Sequence, residues 1–139
     1  MPHRLYPQVA QRARHRCEYC LAPERIAPGE FEVDHIVPRA RGGQDELQNL
    51  ALACWPCNRH KGQATHAIDT DDDRPGLVRL YNPRRHSWDT HFLLVDTDEG
   101  VQVVGQTAVG RATVRRLAMN EPHVVEARLY WALAGWFPP

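Results

Sequence analysis

Two cysteine pairs of identical spacing, Cys17-Glu18-Tyr19-Cys20 and Cys54-Trp55-Pro56-Cys57, account for every cysteine in the chain. Two such knuckles supply four thiolates, the donor set of a closed tetrahedral zinc site. Two disulfides, or a redox pair, are the other readings. Disulfides fit poorly behind a start, Met1-Pro2-His3-Arg4-Leu5-Tyr6, that lacks the apolar stretch of a secretory signal. A redox pair has no use for a matching second pair. A zinc held by four thiolates keeps no open position, so its expected task is to pin two segments together and fix the ends of everything from Leu21 to Ala53. Chemistry is expected inside that loop, not at the zinc.

The totals bound the rest. A chain of 139 residues supports one compact unit with its own core. With 42% hydrophobic and 24% charged residues, neither disorder nor a fibrous repeat describes it. The longest apolar run, Leu129 to Phe137, cannot span a bilayer, and a cytoplasmic location is expected. A net charge of zero excludes a polyelectrolyte that binds nucleic acid by bulk attraction, so any such contact must be local.

The pattern along the chain predicts an α+β fold. Leu5, Val9 and Ala13 recur every four residues, which predicts a helix over 6–16. Glu30 to Asp34 alternates with period two and predicts a strand; Gly42-Gly43 opens a polar loop; Asn49-Leu50-Ala51-Leu52 reads as a strand returning beside the first, and residues 58–63 start a helix. The acidic run Asp69, Asp71, Asp72, Asp73, closed by Pro75-Gly76, marks 64–76 as a solvated linker between a core at 1–63 and an extension at 77–139. The extension is expected to form one small antiparallel sheet from 77–81, 90–95 and 101–106, then helices over 108–119, capped by Thr107, and 123–136. The last helix carries Val124, Val125, Leu129, Trp131, Leu133 and Trp136, too apolar for water, so it must cover the core or form a homodimer.

Between the knuckles stand Glu32-Val33-Asp34-His35-Ile36-Val37-Pro38, Gly42-Gly43, Gln48-Asn49-Leu50 and, from the second knuckle on, Cys54-Trp55-Pro56-Cys57-Asn58-Arg59-His60-Lys61-Gly62. Over residues 9–62 this closely resembles the HNH endonuclease family, including the zinc knuckles that many of its members carry. The resemblance implies a ββα-metal core that grips a divalent cation and cleaves phosphodiester bonds. Asp34 and Asn58 would hold the ion, His35 would be the general base, and Asn49 would brace the loop that carries the histidine. Where the family ends on a histidine, this chain has Asn58, a variation many members show. Residues 64–139 look similar to tails found on bacterial HNH proteins.

Those residue types suit the chemistry. Hydrolysis of a phosphodiester needs a base for the attacking water and a cation against the charge gathering on phosphorus. A histidine of ordinary pKa is largely neutral near pH 7 and can take a proton. A carboxylate and an amide carbonyl are hard oxygen donors, which favours Mg²⁺ or Mn²⁺ over a second zinc. His60, the rival ligand, would sit about 200° around a helix from Asn58, and Gly62 offers no side chain. Neighbours on a strand face opposite ways, so Asp34 and His35 can share one site only if the strand breaks there.

Each residue also has a plain reading: Asp34-His35 as a surface hydrogen-bonded pair, Asn49 as a turn residue, Asn58 as a helix N-cap. Lys61 is the only lysine in a chain whose other basic residues are all arginine, and its family position predicts a phosphate contact. Arg39, Arg41 and Arg59 are further candidates to grip a duplex backbone. In the extension, the loop from Asn82 to Trp88 and the flank Arg111, Arg115, Arg116 are weaker ones. The functional expectation is a metal-dependent endonuclease acting on double-stranded DNA. The alternative is a zinc-stapled nucleic-acid-binding or adaptor module without catalysis.

Overall fold

The computed structural model describes residues 2–69 and 76–139. Helix α1, Tyr6–Arg12, starts with Pro7 in its first turn and buries Val9 and Ala10. It is shorter than the expected 6–16. Arg14 and His15 take positive φ values of 55° and 56°, which no helix can contain, and turn the chain into the first knuckle.

Strands β1, Glu32–His35, and β2, Leu50–Ala53, pair antiparallel with Asp34 opposite Ala51 and His35 opposite Leu50. Every residue of β2 is buried. The chain between them runs through two short 3₁₀ turns, Arg39–Arg41 and Leu47–Asn49. Gly42, at φ 89°, ends the first in a conformation that favours glycine. Gly43 is needed for a different reason: a Cβ there would lie 1.7 Å from the Val37 carbonyl oxygen. Helix α2, Trp55–Lys61, follows Cys54, which makes no side-chain cap bond, and has Pro56 in its first turn. It therefore begins three residues earlier than expected, which puts Asn58 inside the helix rather than at its N-cap.

Beyond α2 the order of strands differs from the expectation. His66–Asp69 (β3) pairs with Gly76–Arg79 (β4), while Phe92–Thr97 (β5) pairs with Gly100–Gly105 (β6). Among the described residues there are thus three separate two-stranded antiparallel sheets, and the strand near 77–81 pairs with residues 66–69 rather than joining a three-stranded sheet. Part of the expected linker, residues 66–69, is strand. Asp71, Asp72 and Asp73 lie outside the described residues.

A short helix α3, Trp88–His91, leads into β5. Helix α4, Ala108–Arg116, starts at Thr107, whose hydroxyl accepts from the Gly110 N–H (3.0 Å). Helix α5, Pro122–Leu133, buries Val125, Arg128 and Trp131 and leaves Leu129, Tyr130 and Leu133 exposed. The Arg128 guanidinium donates to the carbonyls of Val101 and Met119 and to Asn120 Oδ1, which ties α5 to β6 and to the turn after α4.

Buried residues from both halves form one apolar cluster. Val9, Tyr19 and Leu50–Ala53 belong to it together with Tyr81, Phe92, Val103, Leu117 and Trp131. Trp88 Nε1 donates to the Tyr19 carbonyl (2.8 Å) and Arg116 Nε to the His60 carbonyl (3.1 Å), so the later elements also hold the backbone of the earlier ones. Among the described residues, no helix is long and apolar enough to cross a membrane.

Candidate metal and nuclease site

The first knuckle closes on itself: the Cys17 N–H donates to Ala22 O, the Leu21 N–H to Cys17 O, and Leu21 takes φ 68°. The second knuckle is the start of α2. All four cysteines are free thiols and buried, and their sulfurs lie within 4.8 Å of one another, with Cys20 and Cys54 at 3.6 Å. Hydrogen bonds from the other three sulfurs, Cys17 first, hold the Cys20 thiol well below its usual range; the same crowding pushes Cys54 and Cys57 up. Four soft donors in a dry, compact cluster resist ionising together without a cation among them, and they could hold a tetrahedral zinc ion.

β1 does not break between Asp34 and His35. Its ladder stays in register through His35, and the Ile36 N–H still donates to Asn49 O (2.9 Å). The two side chains therefore project from opposite faces. Asp34 shares its face with Glu32, and that face meets α2, where Asn58 and Lys61 stand three residues apart on one side of the helix. Asn58 Nδ2 donates to Glu32 Oε2 (2.6 Å), and Lys61 Nζ bonds the Asp34 carboxylate (3.1 Å).

The Asp34 carboxylate is 4% exposed and also accepts from the buried Tyr19 hydroxyl (2.6 Å). Burial raises its pKa above the usual carboxylate value, opposed mainly by the Lys61 charge. Burial, helped by Asp34, pushes the Tyr19 phenol well above its own usual range. Lys61, expected at a phosphate, is 1% exposed, and its ammonium donates to Asp34 and to the His35 carbonyl (3.1 Å).

On the other face, His35 Nε2 lies 3.0 Å from Asp45 Oδ1, and His3 Nε2 lies 2.5 Å from the same oxygen. Arg4 and Arg39 reach Asp45 Oδ2 at 3.3 and 3.1 Å. Asn49 makes three bonds into the loop: its Oδ1 accepts from the Val37 N–H, and its Nδ2 donates to Val37 O and Gln44 O, each at 2.9 Å. Arg41 Nε donates to Gln63 O (3.0 Å), and Arg59 stacks on the exposed ring of Trp55, 4.9 Å from its centroid. His60 turns back to the Pro56 carbonyl (2.7 Å).

No hydrogen bond joins Asp34 to Asn58 among the described residues. The packing of α2 on one face of β1 bonds Asn58 to Glu32 and Lys61 to Asp34. Of a hard cation's donors, Asn58 Oδ1 has no hydrogen-bond partner among the described residues, since Glu32 engages the amide nitrogen. At Asp34 a cation is already present, the Lys61 ammonium, so an arriving ion would exchange one positive charge for another. Glu32, Asp45, His3 and Tyr19 escape motif reading. The first was findable, since period two puts it on the face of Asp34; nothing local marks the other three.

Residues 17–64 match the family model for HNH endonuclease. Over 95 residues the chain is 42% identical to the CRISPR-associated endonuclease Cas9 of Corynebacterium diphtheriae, an alignment that takes in 66% of this chain and 8% of that protein. The chain thus spans a small part of the length of the curated relative it matches. The Asp34-His35 strand, the Asn49 loop and the helix bearing Asn58 all lie inside the matched segment, and residues 17–64 of this chain belong to the HNH endonuclease family.

Proposed function

We propose that the chain is a metal-dependent endonuclease that hydrolyses phosphodiester bonds of double-stranded DNA. The observation that supports this most is the packing of α2 on the Glu32–Asp34 face of β1 within the matched segment. It puts Asn58 on the Glu32–Asp34 face of β1, while His35, the last residue of the strand, projects from the other face, so a scissile phosphate would have to lie across the strand end to meet both. Asp34 and Asn58 are the residues that would hold Mg²⁺ or Mn²⁺, which would neutralise charge growing on the phosphoryl oxygens.

His35 accepts the proton of the attacking water. Asn49 keeps the loop after β1 closed, so the imidazole does not wander from the strand end. Lys61 holds the Asp34 carboxylate and the His35 carbonyl at once and thereby fixes the two residues relative to each other. Arg59, Arg39 and Arg41 border the site and supply the local positive charge that a chain of zero net charge needs to grip a duplex. Zinc at Cys17, Cys20, Cys54 and Cys57 sets the distance between the ends of the loop. Residues 1–63 form the nuclease core and 77–139 its brace.

One observation favours a second reading. The ammonium of Lys61 already fills the cation position at Asp34, as it would in a zinc-stapled binding module that had lost catalysis. Supercoiled plasmid incubated with the protein and Mg²⁺ or Mn²⁺, beside His35→Ala, separates the two. Nicking or linearisation by the wild type alone supports the enzyme. Plasmid left intact by both proteins under every metal, together with retained DNA binding, supports the module.

A further inference from the structure

His3, His35 and Asp45 bring two imidazole nitrogens and a carboxylate oxygen within 4.8 Å of one another, which has the outline of a metal site. The hydrogen bonding of His3 excludes its part in one. The Leu5 N–H donates to His3 Nδ1 at 3.0 Å. That nitrogen carries the lone pair, so the proton of the neutral ring is on Nε2. A histidine that binds metal through Nε2 needs the opposite tautomer. His3 Nε2–H therefore donates to Asp45 Oδ1, at 2.5 Å.

Asp45 is surrounded by donors. His3 and His35 meet its Oδ1, and Arg4 and Arg39 its Oδ2; Arg4 donates to its backbone carbonyl as well (3.1 Å). The His3 bond, first among these, holds the carboxyl well below the usual carboxylate range. An ionised carboxylate only accepts, so at 3.0 Å His35 must donate from Nε2. The His35 ring is also stacked edge to face with His3, with centroids 5.8 Å apart. Its Nδ1 is left with a lone pair and no hydrogen-bond partner among the described residues.

We propose that Asp45 is a positioning residue for phosphodiester hydrolysis: its carboxylate locks His35 in the Nε2–H tautomer and aims Nδ1 as the proton acceptor. His3 and Arg4, which precede the family-matched segment, hold that carboxylate in place. The inference rests on the endonuclease reading given above. The proton moves from water to His35 Nδ1 while Nε2–H stays bonded to Asp45, which is not itself protonated.

The test compares wild type, Asp45→Asn, Asp45→Ser, His35→Ala and the double variant Asp45→Asn/His35→Ala on plasmid with Mg²⁺ or Mn²⁺. Zinc content and circular dichroism establish that each is folded. Asp45→Asn is expected to lower kcat by at least about tenfold, less than the roughly 10²–10⁴-fold loss of a general base, with KM for DNA unchanged. In His35→Ala, activity restored by added imidazole should be the same with Asp45 or Asn at that position, because a free imidazole needs no anchor. Formate should restore part of the rate of Asp45→Ser, which also covers failure of the Asn variant to fold. Nitrogen-15 spectra of histidine-labelled protein at one fixed pH should show His35 as a single Nε2–H tautomer in the wild type and as a mixture in Asp45→Asn.

Equal kcat in Asp45→Asn and wild type, or an equal further loss on removing Asp45 from the imidazole-rescued His35→Ala, overturns the proposal. A mixed His35 tautomer in the wild type does so without any activity measurement. A wild type no more active than His35→Ala fails the endonuclease reading itself and removes the reaction that Asp45 would serve.

Discussion

Replacing Lys61 by methionine isolates the one buried ion pair at the centre of the site. The side chains of Lys61 and Asp34 are 2% and 5% exposed, so solvent does little to screen them. Methionine keeps the length and bulk of the stem and removes only the ammonium. Asp34 then retains the Tyr19 hydroxyl but faces a dry interior without a counter-charge. Breaking a buried pair from one side costs about 3–5 kcal/mol, since the remaining charge has neither water nor partner. With a urea dependence of about 1–3 kcal/mol per molar, the midpoint should fall by about 2 M. Urea titration of the zinc-loaded protein, followed by tryptophan fluorescence, reads this directly.

The pH dependence gives the sign. Burial already raises the Asp34 pKa in the folded protein, and loss of Lys61, the chief opposing influence, raises it further. A carboxyl that is harder to ionise when folded destabilises as pH rises through its folded pKa. The variant should therefore be worst at neutral pH. Below about pH 4 the carboxyl is neutral in both folded and unfolded chains, and the gap to wild type should close or reverse, because there the wild type buries an unmatched ammonium. Adding Asp34→Asn to Lys61→Met should recover most of the loss at pH 7 by removing the orphaned charge. A single variant within 1 kcal/mol of wild type at pH 7, or a double variant as unstable as the single, would refute the argument.

Elemental analysis should find one zinc per chain, and removal of the ion by a chelator, or Cys54→Ser, should unfold the protein as judged by circular dichroism rather than merely slow it. Asn49→Ala deletes the three bonds that close the loop after β1 and should cost about 1–3 kcal/mol in urea titration, with a fall in plasmid cleavage at unchanged zinc content. Gly43→Ala has no room for its methyl against the Val37 carbonyl and should destabilise by about 1–3 kcal/mol; a thermal midpoint equal to wild type would show that the loop can yield.

How far the sequence could be read depended on whether a residue's partner was close along the chain. The paired knuckles, the period-two pattern at Glu30–Asp34 and the Thr107 cap are local patterns, and each has its counterpart in the fold, the second as the strand Glu32–His35. The pairing of β4 was not legible. Residues 76–79 alternate as a strand would, but nothing in them says whether they join β5 or fold back on 66–69. The surroundings of Lys61 were not legible for a related reason. Its rarity marked it as special, while its burial follows from where α2 lies on β1, a contact 27 residues away in sequence. His3 and Asp45 are 42 residues apart, and neither sits in a pattern of its own.

The family-matched segment is not self-sufficient in this chain. Asp34 depends on the Tyr19 hydroxyl, and Tyr19 is placed by Trp88, whose indole N–H takes up the Tyr19 carbonyl (2.8 Å) from beyond the second knuckle. Arg84 donates to the Leu50 carbonyl, and Arg116 to the last turn of α2, the helix that carries Asn58 and Lys61. From the other end, His3 and Arg4 fix the carboxylate that faces His35. Each hydrogen bond is of modest net worth, but left unmade within a buried surface it strands a carbonyl or a charge. The residues outside 17–64 therefore act on the site through its backbone and its counter-charges. Through these bonds they help to set the positions of Asp34 and His35.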